Sequence, residues 1–201
     1  MTPRLLFLPG AGGSADFWRP VAQRLPADWP KHLFSWPGLG DQPHDAAISG
    51  VHDLVSMVVA WMDQPADIIA QSMGGLVAIK AALRRPDIVR SLVLTGTSGG
   101  MNVEELGGAD WREDYRREFP DAAPWITEVR EDLTGQIPTI EAPALLLWGD
   151  ADTVSPVAVG RRLAALLPNA ALHVIQGGAH DFAMTHAEEI APLIRAHVER
   201  A

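Results

Sequence analysis

Short, unbroken apolar runs recur along this chain, each closed by glycine, proline or a polar residue and most followed by a stretch with helical spacing. Leu5-Leu6-Phe7-Leu8, ended by Pro9-Gly10, has the length of a strand and no polar face, so both of its faces must be covered. The same reading places strands at His32–Ser35, Asp67–Gln71, Ser91–Thr95, Ala144–Trp148 and Leu172–Ile175. Helices are expected over about Ala15–Leu25, Val51–Met62, Met73–Arg85, Pro156–Leu167 and Ala187–Val198. In the second of these, Val51, Leu54, Val55, Val58, Val59 and Met62 share one face, and Pro86 stops the third. Thr185-His-Ala-Glu188 reads as a capping box that opens the last helix. Strands alternating with helices imply an α/β fold: a doubly wound, mainly parallel sheet of about six strands, helices on both faces and right-handed crossovers.

One connection breaks the rhythm. Residues 98–142 carry no strand signal, but Trp111, Tyr115 and Phe119 repeat at i, i+4 and i+8, as do Trp125, Val129 and Leu133. A small helical lid or an elaborated crossover is expected there, inserted in a single domain over 1–201. This stretch holds eleven acidic residues against four arginines, the pattern of a solvated surface. The formal charge of −9 argues against nucleic acid, whose phosphates call for clustered Lys and Arg. With no cysteine there is no disulfide framework, no thiolate metal site and no cysteine nucleophile. Leu5–Leu8 is too short for a signal-peptide core or a membrane span, so a cytoplasmic protein without a membrane partner is expected. Nothing in the chain reports an oligomeric state.

The third apolar run leads straight into a helix through one serine, as Ile68-Ile-Ala-Gln-Ser72-Met-Gly-Gly75. A serine hydroxyl is a weak nucleophile unless a base takes its proton, a third group orients the base, and donors meet the developing oxyanion. Small residues at Ala70, Gly74 and Gly75 allow the tight turn and a close helix that such a serine requires. The run Ala144–Trp148 delivers Asp150 and Asp152 beyond its carboxyl end, and Ile175-Gln-Gly-Gly-Ala-His180 presents a histidine on a glycine loop. Ser72, an acid and His180 each follow a strand at the end where ligands collect in open α/β sheets. His173 falls inside a strand and His186 at the start of the last helix, positions that suit structure better than chemistry. Gly10-Ala-Gly12-Gly-Ser-Ala15 also fits a dinucleotide-binding fingerprint, but the second strand ends in Phe34-Ser35-Trp36, without the carboxylate that would hold a ribose.

Together these residues resemble the α/β-hydrolase fold family, over nearly the whole chain. Ala70-Gln-Ser72-Met-Gly74 is similar to its nucleophile elbow, with alanine for the first glycine; Gly149-x-x-Asp152-x-x-x-Pro156 is similar to its acid loop and selects Asp152 over Asp150. Gly178-Ala-His180 resembles its terminal histidine segment, and Pro9-Gly10-Ala11 stands where the family has His-Gly-x. The resemblance implies a Ser72–His180–Asp152 triad with the backbone N–H groups of Ala11 and Met73 as oxyanion donors. It implies hydrolysis of small to medium carboxylic esters through an acyl-enzyme, a small-molecule ester as the partner, and neither metal nor organic cofactor. Ser35 replaces the family's usual aspartate in Ser35-Trp-Pro-Gly-Leu-Gly40, the N-terminal hairpin is reduced, and the lid is short. Trp18, Trp36, Trp111, Trp125 and Phe182 are the aromatic candidates for an apolar acyl pocket. The same triad also serves lyases, C–C bond hydrolases and cofactor-free perhydrolases, and a non-catalytic ligand-binding member is the third class.

Overall fold

Every side chain of the strand Leu5–Leu8 is buried, and the reason is the alternation of two apolar cores across it. Leu6 and Leu8 pack into one core and Leu5 and Phe7 into the other. A strand covered on both faces gains nothing from a polar residue, so its sequence loses the period of two that a half-exposed strand shows. The computed structural model describes residues 2–201. Along the chain lie β1 (Leu5–Leu8), α1 (Arg19–Ala22), β2 (Lys31–Leu33), α2 (Val51–Trp61), β3 (Ala66–Gln71), α3 (Met73–Arg84) and β4 (Val89–Thr95). They are followed by α4 (Arg112–Glu118), β5 (Ala144–Gly149), α5 (Val157–Leu166), β6 (Ala170–Ile175), α6 (Phe182–Thr185) and α7 (Ala187–Val198).

The six strands are all parallel and lie in the order β2-β1-β3-β4-β5-β6. Chain direction across the sheet reverses between β1 and β3, so the loops leaving these two strands diverge there and open a crevice at their carboxyl ends. The larger core joins that sheet face to α2, α3, α5 and the 98–142 connection; the smaller joins the opposite face to α1, α6 and α7. The fold is the doubly wound α/β arrangement expected of the strand pattern.

Local departures have identifiable causes. The helix expected over Ala15–Leu25 is a 3₁₀ turn, Ala15–Trp18, followed by the four-residue α1. Pro20, without an N–H, fits only the first turn of a helix, and it restarts the segment there. The strand expected to reach Ser35 ends at Leu33, and the Ser35 hydroxyl accepts from Ala15 N at 3.1 Å instead. The capping box at Thr185 does not form: Thr185 closes α6, its Oγ1 lies 3.0 Å from His186 Nδ1, and α7 starts from His186 without a side-chain cap. Trp111, Tyr115 and Phe119 do lie along one helix, α4 and its two caps, but Trp125–Leu133 holds only a 3₁₀ turn, Pro124–Thr127. Beyond it the Arg130 guanidinium takes the carbonyls of Thr127 and Val129 at 3.1 and 2.9 Å, which an α-helix would have used for its own backbone. Among the described residues, no helix is long and apolar enough to cross a membrane.

Candidate active site

Ser72 turns the chain from β3 into α3 with φ 52° and ψ −121°, the one positive φ outside glycine among the described residues. For a residue with a Cβ such a conformation costs about 1–3 kcal/mol, and it persists only where the surroundings impose it. They do so here. Ser72 N donates to Thr95 O at 3.0 Å, and the Ser72 carbonyl receives Gly75 N at 2.9 Å and the Thr97 hydroxyl at 2.6 Å. Glycine is required at two successive positions just after this turn. A Cβ at Gly74 would run into the carbonyl oxygens of Leu8 and Pro9, and one at Gly75 into the Thr97 side chain.

The turn brings Ser72 Oγ to 3.0 Å from His180 Nε2, and His180 Nδ1 lies 2.9 Å from Asp152 Oδ2. Asp152 is only 4% exposed, and its other oxygen accepts the N–H groups of Val154 and Ser155, each at 2.9 Å. Three bonds thus hold a buried carboxylate facing the imidazole. They also assign the tautomer: Nδ1 carries the proton toward Asp152, leaving Nε2 to accept from the serine. Asp150, the rival acid, is exposed and accepts from Gly177 N at 2.6 Å, so it ties the β5 and β6 loops together. The two loops approach closely because Gly149 and Gly178 meet backbone to backbone, where a Cβ on Gly149 would overlap the Gly178 carbonyl.

Ala11 lies in the tight turn Gly10–Gly13, closed by Gly13 N to Gly10 O at 3.1 Å, and Met73 is the first residue of α3, where backbone N–H groups have no partner within the helix. Both follow the strands that flank the crevice. Beside them opens a cavity of about 420 Å³ that includes Ser72 and His180 and has apolar walls from Met101, Val103, Trp111, Ile126, Val129 and Val154. The volume lies within the range of about 300–1,000 Å³ usual for small-molecule sites. Arg112 also borders it, and its hydrogen bonds to Asp110 hold that carboxyl below the usual carboxylate range.

Of the five aromatic residues expected around an acyl pocket, the structure puts only Trp111 on the cavity wall. Trp18 and Trp36 are fully buried, and their indole N–H groups donate to Leu8 O at 2.9 Å and Pro9 O at 2.7 Å. They hold the end of β1 from opposite faces of the sheet and so fix where the Gly10–Gly13 turn begins. Phe182 fills the smaller core, and Trp125 packs partly buried against the larger one. An apolar ring suits a core as well as a pocket, and sequence spacing does not separate the two.

Three contributors escaped the sequence reading. Gln71 donates from Nε2 to His180 O at 3.2 Å, linking the strand before Ser72 to the histidine loop. Thr97 holds the Ser72 carbonyl, and Gly96, at φ 49°, leaves room beside the acid: a Cβ there would stand 3.0 Å from Asp152 Oδ2. The visible signal was a polar residue closing the apolar run of each strand, Gln71 on β3 and Thr95 on β4, followed by Thr97.

A family model described as "Alpha/beta hydrolase family" matches residues 5–193. A Neisseria meningitidis protein named pimeloyl-[acyl-carrier protein] methyl ester esterase is 30% identical, over 98% of this chain and 93% of its own length. Among solved structures, a bacterial membrane phospholipase A superposes with a TM-score of 0.81 at 24% identity, covering 100% of this chain and 80% of that one. A thermophilic esterase from Thermogutta terrifontis gives 0.81 at 18% identity, covering 100% and 90%. At these identities the two structures speak for the fold alone.

Proposed function

The chain belongs to the alpha/beta hydrolase family, and on that footing we propose that it is a serine hydrolase of carboxylic esters. The observation that carries this reading is the continuous hydrogen-bonded line Ser72 Oγ–His180 Nε2, His180 Nδ1–Asp152 Oδ2, built on a strained serine. Ser72 Oγ attacks the ester carbonyl carbon while His180 Nε2 takes its proton; Asp152 keeps the imidazole oriented and stabilises its cation. The carbonyl electron pair moves onto oxygen, which the N–H groups of Ala11 and Met73 receive, one such donor being worth roughly 3–4 kcal/mol. Collapse of this intermediate expels the alcohol, protonated by His180. Water then repeats the sequence on the acyl-enzyme to release the acid and restore Ser72.

The apolar cavity supports a substrate whose acyl or alcohol part is hydrocarbon of small to medium size. The name of the N. meningitidis relative, an esterase for a methyl ester of a carrier-bound acyl group, supports the same class of bond. Residues 98–142 we read as a lid closing that cavity over a single domain spanning 1–201.

With p-nitrophenyl butyrate as substrate, wild type turns over and Ser72→Ala does not; a fluorophosphonate forms its adduct on Ser72, located by mass spectrometry. Asp152→Asn lowers kcat by several orders of magnitude and Asp150→Asn by less than about fivefold, because only the former spoils the imidazole tautomer. An adduct on another serine, or equal losses for the two aspartates, would reject the assignment.

A further inference from the structure

The turn that presents the Ala11 N–H is a poor scaffold taken alone. Three of its four residues, Gly10, Gly12 and Gly13, are glycine, so the chain itself restricts little of its backbone. Its anchors therefore come from outside. Trp36 N donates to Gly13 O at 2.8 Å at the far end of the turn. At Ala11 itself the anchor comes from α4: the Tyr115 hydroxyl donates to Ala11 O at 2.8 Å and accepts from Gly40 N at 2.9 Å. Gly40, at φ 55°, lets its loop nest against Gly12, where a Cβ would overlap the Gly12 carbonyl. One hydroxyl thus uses both a donor and an acceptor position to join three segments far apart in sequence.

We propose that Tyr115 is a positioning residue for the oxyanion hole, a hydroxyl carried on the lid that fixes the Ala11 carbonyl and, through the Ala11 Cα, the aim of the N–H on the adjoining Gly10–Ala11 peptide. The proposal rests on the esterase reading above. Tyr115 is 8% exposed and wedged between Trp111 and Phe119, with ring centroids at 5.5 and 5.0 Å, so its ring has little freedom once α4 is seated. Burial pushes its phenol above the ordinary tyrosine range, and it stays a donor throughout the working pH of an esterase. The consequence is that the lid does more than cover the cavity. The hole is complete only while α4 is docked, which couples lid position to the chemical step, where preorganised donors act.

Tyr115→Phe removes one oxygen and leaves the packing. With p-nitrophenyl butyrate its kcat falls about tenfold with KM within about twofold, since an aim lost at the oxyanion is felt in the transition state. Affinity for an alkyl trifluoromethyl ketone falls in parallel, because Ser72 Oγ adds to that carbonyl, His180 takes the proton, and the resulting alkoxide sits in the hole. Replacing Tyr115 by 4-aminophenylalanine, whose amine donates to Ala11 O, restores most of both. An unchanged kcat and ketone affinity in Tyr115→Phe would overturn the proposal. So would a loss confined to KM, or no recovery with the amine. If wild type takes the fluorophosphonate at Ser72 but cleaves no ester, the ester reading fails alone, and the labelling rate of Tyr115→Phe against wild type decides this one. No label at Ser72 sinks both.

Discussion

Ser72 owes its backbone conformation to its neighbours, and Thr97 is the one that acts through a side chain. Its hydroxyl donates to the Ser72 carbonyl at 2.6 Å and accepts from Gly99 N at 3.0 Å, all within a buried loop. Thr97→Val keeps the shape and removes the donor, leaving a strained peptide with one restraint fewer and a buried amide unpaired. The expected result is a fall in kcat of about tenfold with KM little changed, and a destabilisation of about 1–3 kcal/mol in urea from the unsatisfied amide. Thr97→Ser should recover most of both. Ester kinetics and urea titrations on the three proteins check it; a Thr97→Val enzyme with wild-type kcat would mean that the Gly75 bond and the sheet alone hold the elbow. At this scale the sequence pointed to Ser72, Asp152 and His180, whose side chains the fold brings within hydrogen-bonding distance in one line. It was silent where any hydroxyl or phenol in reach would do. Thr97 and Tyr115 are defined by what they touch 25 and 104 positions away.

The helix after Ser72 sits where it does because two of its first three residues lack a side chain. Gly75 meets the Thr97 side chain so closely that a methyl group cannot be fitted without moving β4's exit loop. Gly75→Ala should therefore cost about 1–3 kcal/mol, the range for overpacking. Gly135→Ala, whose Cβ would meet nothing within 4 Å, should change stability by less than about 0.5 kcal/mol. Equal urea midpoints for the two variants would show that α3 can shift at no cost. Elements were readable to the degree that one local cause dominated. The apolar runs of β1, β3, β4 and β5 and the facial pattern of α2 have such a cause in burial. Residues 15–25 and the Thr185 segment did not, because a proline at the first turn and a short extra helix ahead of α7 decided them. The aromatic side chains failed for a third reason: Trp36 and Trp111 look alike in sequence, and only tertiary packing separates the one in a core from the other on a cavity wall.

Two partly buried histidines give the whole molecule a pH response away from its site. Burial holds the imidazole of His197, on α7, below the ordinary histidine range, and Arg200 adds to the effect. His32, on β2, is held down by burial and then by Arg4. A depressed imidazole means that the unfolded chain takes up protons first as pH falls past about 6.5, so folding stability is fully present above that pH and declines below it. Urea midpoints should stay level between about pH 8 and 7 and drop toward pH 5, with a shallower drop in His197→Phe. A profile that is flat, or steeper in the variant, would contradict the sign. The strand order has an outcome of its own. Ser72 leaves β3, which has a neighbour on each side, whereas His180 rides the exit of β6, the outermost strand, whose Val174 is 41% exposed. Local opening starts where a structure is least supported, so under the proposed mechanism heating carries His180 out of reach while Ser72 is still in place. Loss of turnover then comes as an early tremor at one border, felt well before the interior gives way.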